Sequence, residues 1–326
     1  MTEPSNSLTQ HVAPLAAGEP VLAAAFVGQE PALALANGVV KLAGRDIAAH
    51  PDAAILCAAL DGERWLTGGD DGRVVAISAA GAEALADEKG KWIDALAAHD
   101  GAVAWSAGKI TRARDAKGAV KSWTAPTTVR GLAFLPKGYR IAAAHYNGVS
   151  LWFPNVDATP QLMEWKGSHL DATVSPDGRF LVTSMQENAL HGWRLADGRN
   201  MRMTGYPGKT RSLSWTHDGH WLATSGADAC VVWPFKDKDG PMGKPPRECG
   251  VRPQRITQVA CHPRALVVAI GYADGLVLLC RLGDGAEILV RPSGDGAISA
   301  LAWDGVGARL MFGTDAGDAG LLTLPA

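Results

Sequence analysis

Three features of the 326-residue sequence predict an all-β fold of four-stranded antiparallel sheets stacked radially about an axis. A turn returns about every 40 residues, short apolar strands flank it, and helix-length periodic runs are nearly absent. The turn is clearest in the stretch SPDGRFLVTSMQENALHGWRL, Ser175 to Leu195. Relatives of Asp177-Gly178 stand at Asp61-Gly62, Asp100-Gly101, Lys137-Gly138 and Asp218-Gly219, with weaker forms at Gly28, Arg264 and Gly307. The successive steps, from Gly28 to Gly307, are 34, 39, 37, 40, 41, 45 and 43 residues. A fixed period of this size marks a repeat architecture.

Each repeat has the same internal order. An apolar strand precedes the turn, as in VLAAAFV, ILCAAL, RSLSWTH and ISALAWDG. A second strand of small apolar residues follows, as in RWLTGG, FLVTSM and LVVAIGY. A Gly- or polar-rich turn then leads to a third strand such as RVVAIS, LHGWRL or CVVWPF, and a more polar fourth segment such as NMRMT or EILVR closes the unit. Strands of five to seven residues between Gly/Asp/Asn turns are the pattern of an all-β chain. Eight turns give eight repeats. The last repeat ends at Ala326 without a fourth strand, and the first begins near Val21. A strand from within residues 1–18, around Gln10 to Leu15, is expected to supply the missing edge and close a ring, because an unpaired sheet edge is a liability. The whole of 1–326 is expected to form one domain.

This pattern resembles the WD40 β-propeller family. The resemblance rests on Gly167-Ser168-His169 before the first strand of the quoted repeat, on SPDG, on Thr183 and on Trp193 closing the third strand. In that family a His, a Ser/Thr, an Asp and the Trp form a hydrogen-bonded tetrad, which a buried indole N–H requires. Here Glu187 stands in the Asp slot. The second repeat matches at His50, Thr67 and Asp71, with Ile77 for Trp. The sixth has Thr224, Asp228 and Trp233, with Tyr206 in the His slot; the fourth has Asn147-Gly148 and Trp152 but no Ser/Thr. The seventh keeps Asp274-Gly275 and puts Cys280 at the Trp position. No repeat carries a full tetrad, so apolar packing is expected to dominate. The resemblance implies a single propeller. Eight blades is the preferred count and seven the alternative.

Composition excludes several functions. Hydrophobic residues are 47%, charged residues 20% and the net charge is −2, which gives no global pull toward nucleic acid or a membrane surface. Five scattered cysteines, odd in number and without a C-x-x-C pair, are not a disulfide framework and fit a reducing compartment. The N-terminal residues show no basic segment followed by an apolar run, and no apolar stretch approaches the roughly 20 residues that span a bilayer. A cytoplasmic monomer is expected, and the Ala/Gly-rich wording fits a bacterial source.

Isolated chemical motifs do not hold up. Gly208-Lys209-Thr210 has the tail of a phosphate loop, but Met203 occupies the required glycine position. His217 and His220 sit on a turn with no third ligand, and adjacent Cys261 and His262 would point to opposite faces of a strand. KDKDG at 236–240 lacks a first calcium ligand, since Phe235 stands there. No G-x-S-x-G elbow is present. No cofactor, metal or catalytic residue is assigned. The segment Pro234–Pro253 reads as an exposed insertion between third and fourth strands of the sixth repeat, either a mobile loop or a partner-binding arm.

The family resemblance implies a non-enzymatic scaffold for protein partners. The alternatives are a propeller enzyme, hydrolase or lyase, or a ligand- or metal-linked sensor using the channel mouth. In the family, loops joining fourth to first and second to third strands share the narrow face. Here those loops are expected to present Trp92, Arg130, Tyr146, His169, Arg211, Arg255 and Tyr272, residue types common at interface hot spots. The arginines make an acidic segment of a protein the expected ligand.

Overall fold

The computed structural model describes residues 7–325. Among them the only helical turn is Thr9–His11; the rest of the regular structure is antiparallel β-strand. Among the described residues the hydrogen-bonded strands form seven sheets, the alternative count, and not the preferred eight four-stranded blades. Four-stranded sheets span 21–48, 55–87, 95–124, 213–249 and 256–291. A sixth joins Ile298–Trp303, Arg309–Thr314 and Asp318–Thr323 to the N-terminal strand Val12–Ala16. The seventh, over 131–203, has six strands and carries the fourth and fifth repeats together.

The reason for this merger lies in two long strands. Ile141–Trp152 pairs through Gly131–Phe134 on one side and through Gln161–Val174 on the other. It turns on itself at Asn147 and Gly148, both at positive φ, so that His145 Nε2 comes within 2.9 Å of Ser150 Oγ. Gln161–Val174 then runs on past Lys166-Gly167 into the fifth repeat, with Tyr146 paired to Ser168 at the seam. No chain break separates the two repeats, so their hydrogen bonding is continuous.

The chain divides into two compact units. One contains residues up to Ala36, Lys41–Gly44 and those from Tyr206 onward; the other contains Asn37–Val40 and Arg45–Gly205. In both, the core lies between neighbouring sheets. In the first unit, Ala223, Val232, Ile256, Val268 and Ile270 form one cluster, and Val277, Ile298, Leu310, Phe312 and Leu322 another. In the second, Leu66, Val74, Ile93 and Trp105 pack together, as do Leu135, Leu151, Met163, Leu181 and Trp193. Trp193 is 1% exposed, as its third-strand position demands.

Adjacent repeats interlock at a small residue. A methyl group added at Gly68 would lie 2.5 Å from Ile93 Cγ2, one at Gly271 2.4 Å from Ile298 Cγ2, and one at Gly313 2.5 Å from Val21 Cγ1. Each glycine is in the second strand of a repeat; Val21 and Ile298 open the first strand of the next, and Ile93 lies just before it. At the equivalent position in the third repeat, Ser106 Oγ donates to the Val129 carbonyl at 3.1 Å. Hydroxyls add further ties: Thr257 Oγ1 donates to the Ile298 carbonyl at 2.6 Å, and Ser299 Oγ to the Val21 carbonyl at 2.5 Å. A bulge follows the opening residue of the first strand at Val21/Ala23, Ile55/Cys57, Ile256/Gln258 and Ile298/Ala300. Such a bulge re-aims the strand and strengthens its twist.

The N-terminal segment is part of the last sheet. Val12 through Ala16 pair in antiparallel register with Leu322 through Asp318. Leu8 donates its N–H to the Leu289 carbonyl at 2.7 Å and packs into the Phe312 cluster. Residues 1–6 of the expected closing segment lie outside the described residues. The insertion at 234–253 is shorter and better anchored than expected. Arg247–Cys249 is the sheet's fourth strand, Phe235 is fully buried against Trp215 with ring centroids 4.8 Å apart, and Lys244 pairs with Asp237. An aromatic side chain at the first loop position is what ties it down.

Deleting residues 1–18 strips a paired edge strand and the Leu8 contact from the Phe312 cluster. The truncated protein is expected to unfold several degrees below the full chain in a thermal melt, since a ΔΔG of ~1 kcal/mol moves Tm by about 2–4 °C at this size. Coincident melting curves would show that the strand contributes nothing to stability.

Candidate partner-binding surface

Apart from half-buried Asp71 and exposed Asp228, the repeat-signature residues are buried, and the polar network differs from repeat to repeat. In the second, His50 Nδ1–H donates to the Asp71 carboxylate at 3.0 Å while Nε2 lies 2.9 Å from Thr67 Oγ1. In the sixth, the Trp233 indole N–H donates to the Tyr206 hydroxyl at 2.6 Å. Tyr206 donates in turn to Thr224 Oγ1 at 2.7 Å, and Thr224 to the Val231 carbonyl at 2.9 Å. Burial pushes the Tyr206 hydroxyl well above its usual range, so it stays a donor. Asp228 contributes through its backbone carbonyl, which accepts from the Arg252 N–H at 3.0 Å. In the fifth repeat His169 Nδ1 lies 2.7 Å from Thr183 Oγ1, and Nε2–H donates to the Trp165 carbonyl. Glu187, in the Asp slot, accepts from the Ser168 N–H at 3.2 Å.

Two networks escape the signature. In the third repeat Glu88 accepts from the Trp105 indole at 2.8 Å and pairs with Arg112 at 2.9 Å. In the fourth, Ser150 of the third-strand position replaces the second-strand Ser/Thr and bonds His145, while Trp152 is buried beside Trp123. Glu88 belongs to the end of the preceding repeat, and Ser150 is one strand late; a fixed-offset reading passes over both.

Two of the seven expected surface residues are misplaced by that reading. His169 and Tyr272 are fully buried. His169 belongs to the network just described. The Tyr272 hydroxyl donates to the Gly250 carbonyl, and its ring packs in the Ala223–Val232–Ile270 cluster. Neither offers a face to a partner. A polar aromatic at a loop edge turns inward here because buried backbone carbonyls there need donors.

The other five are exposed, and local structure explains each. In the second unit, Trp92 is 62% exposed. Its loop is fastened at both ends, Glu88 N–H to the Gly72 carbonyl and Ile93 N–H to the Gly69 carbonyl. The next side chain, Ile93, is the one seated on Gly68, so Trp92 points outward by alternation. Tyr146 is 50% exposed at the Asn147-Gly148 turn, its N–H donating to Thr127 Oγ1 at 3.0 Å. Arg130 follows buried Val129 and pairs with Asp94 at 2.9 Å, whose other oxygen accepts the Gly108 N–H at 2.7 Å. Beside them burial, aided by Asp94, pushes the Cys57 thiol up to about 12 and leaves it unreactive. In the first unit, Arg211 follows buried Thr210, and Arg255 precedes buried Ile256 with its guanidinium against Gly208. Four of the five stand beside a buried residue: Trp92 beside Ile93, Arg130 beside Val129, Arg211 beside Thr210 and Arg255 beside Ile256.

Comparison with known proteins gives a consistent picture. The family described as "WD domain, G-beta repeat" matches residues 200–233, the stretch that ends on Trp233. A 77-residue segment, 23% of this chain, is 34% identical to WD repeat-containing protein 1-B of Xenopus laevis and spans only 13% of that protein's length. Among solved structures, the computationally designed Ika8 protein superimposes with a TM-score of 0.78 at 17% identity, covering 95% of this chain and 98% of its own; this likeness concerns fold alone.

The Tyr206 network predicts a measurable loss. Tyr206→Phe leaves the Trp233 N–H without its acceptor and removes the hydrogen bond that Thr224 Oγ1 accepts, at a cost of about 1–3 kcal/mol in urea unfolding. An unchanged midpoint would mean that the sixth repeat is held by apolar packing alone. The matched repeat and the WD-repeat relative show that this chain is similar to WD-repeat proteins over part of its length.

Proposed function

We propose that this chain is a non-enzymatic scaffold, a single domain that binds acidic segments of a protein partner, with Trp92, Arg130 and Tyr146 as the contacts within one unit and Arg211 and Arg255 as those within the other, each surface taken by itself. The observation that carries this reading is the exposure of a tryptophan and a tyrosine on loops whose ends are hydrogen bonded. Rigid, exposed aromatics bury large area at little entropic cost, and arginine adds directed donors for carboxylates. WD40 proteins commonly bind protein partners, and their propellers are generally scaffolds rather than enzymes. No helix among the described residues is long and apolar enough to cross a membrane. A monomer working in the cytoplasm, without nucleic acid as a ligand, is the setting this reading assumes.

The test is selection from a randomised 12-residue peptide library, followed by titration of the selected peptides. Peptides rich in Asp and Glu are expected to be enriched. Trp92→Ala, Arg130→Glu, Arg211→Glu and Arg255→Glu should each weaken binding, with hot-spot positions losing about 30-fold or more, the equivalent of ~2 kcal/mol. Selection of neutral peptides, or unchanged affinity in all four folded variants, would place the functional surface elsewhere.

A further inference from the structure

We propose that the six-stranded sheet over 131–203 is an acid-sensitive element, whose seam between the fourth and fifth repeats is held together by neutral histidines and loosens when they are protonated. Three histidines lie buried in this one sheet: His145, His169 and His191. His145 and His169 are each locked as a neutral tautomer. His145 Nδ1–H donates to the Tyr146 carbonyl at 2.8 Å and its Nε2 faces Ser150; His169 Nε2–H donates to the Trp165 carbonyl at 3.0 Å and its Nδ1 faces Thr183.

His191 is the sharper case. It has no exposure, and neither ring nitrogen has a hydrogen-bond partner. Its ring lies flat on Trp165, with centroids 4.0 Å apart and an interplanar angle of 15°, and edge-on to Trp193 at 4.7 Å. A buried polar ring without partners is rare and calls for an explanation. As a neutral imidazole it packs as an aromatic plate; as an imidazolium it would be a buried cation with no counter-charge.

The surroundings oppose protonation. Across the strands, His191 faces Arg202 on one side and Thr183 on the other. His169 stands 6.3 Å away, ring centroid to centroid, and His145 acts on His169 in turn. The carboxylate of Glu187 acts on His169, and that of Asp171 accepts from Ser184 Oγ at 3.0 Å. Burial first, then the like charges of His169 and Arg202, drive the His191 pKa down to about 3. Burial also lowers His145 and His169.

The position of these rings gives the effect its location. Trp165 is held twice, its carbonyl by His169 and its ring by His191, and it precedes the Lys166-Gly167-Ser168 seam where the chain passes from one repeat to the next. Losing either contact frees that segment.

Each histidine with a depressed native pKa makes the unfolded state bind more protons below about pH 6.5, the ordinary histidine value. The stability contributed by neutral His191 is therefore complete above that pH. It falls as pH drops, until about pH 3, where the native ring itself takes the proton. In this window each such group lowers the folded-to-unfolded ratio by up to tenfold per pH unit.

The experiment is urea unfolding of the wild type and His191→Phe between pH 7.5 and 4.5, with amide hydrogen exchange of the wild type, corrected for intrinsic rates, as a second readout. Phe keeps the plate on Trp165 and removes the titration. The wild type should lose stability more steeply than His191→Phe, by up to tenfold in folded-to-unfolded ratio for each pH unit below 6. Exchange in 180–203 should rise on acidification before exchange in 256–291. Parallel pH profiles for the two proteins, or simultaneous loss of protection in both segments, would overturn the proposal.

Discussion

The structure depends on close contact between the first strand of one repeat and a very small residue in the second strand of the repeat before it. A β-branched side chain at the strand's start needs somewhere to go, and it goes into the space a missing Cβ leaves. Aligning the second strands puts Ala34, Gly68, Ser106, Ala144, Ser184, Ser225, Gly271 and Gly313 at one position. None of the eight is larger than serine. Interiors packed at crystal-like density leave no slack for another methyl group, so at Gly68, Gly271 and Gly313 this position fixes how near the two repeats of each pair approach. Trp92 is exposed next to buried Ile93, Arg130 next to buried Val129 and Arg211 next to buried Thr210.

With packing supplying that lock, the polar networks are free to vary. One repeat uses His50 with Asp71, another Glu88 with Trp105 and Arg112, another Tyr206 between Thr224 and Trp233. What is held constant is the rule, not the residue: a buried donor finds an acceptor within its own stretch of chain. His191 departs from that rule, as do the hydroxyls of Thr111, Tyr139 and Thr210, and its flat contact with Trp165 shows that a ring can be kept for its shape while its polarity is a liability.

Much of this is legible in the sequence, and the misses have definite causes. The turn period, the strand order and the N-terminal edge strand follow from Gly/Asp turns and alternating apolar residues, which are local signals. The number of sheets does not follow, because Asn147-Gly148 and Lys166-Gly167 look like the other turns yet carry continuous pairing from Gly131 to Met203. Exposure at loop edges is equally hard to read. His169 and Tyr146 both stand beside turns, but His169 faces Thr183 and the Trp165 carbonyl while Tyr146 finds its partner through its backbone N–H and leaves its ring outside. Ser150 and Glu88 show the opposite limit, correct chemistry supplied from a neighbouring strand.

The central claim is that the small-residue seat sets the coupling between repeats, and a double-mutant cycle at Gly271 and Ile298 tests it most directly. A methyl at position 271 meets Ile298 Cγ2 and Cγ1 at 2.4 and 3.2 Å, so Gly271→Ala alone should destabilise by about 1–3 kcal/mol through overpacking. Ile298→Ala alone should cost about 2–5 kcal/mol. Together they should cost less than their sum by ~1 kcal/mol or more, because the second change removes the atoms the first collides with. Additivity within about 0.5 kcal/mol would mean that glycine is tolerated at this position rather than required by the neighbouring strand.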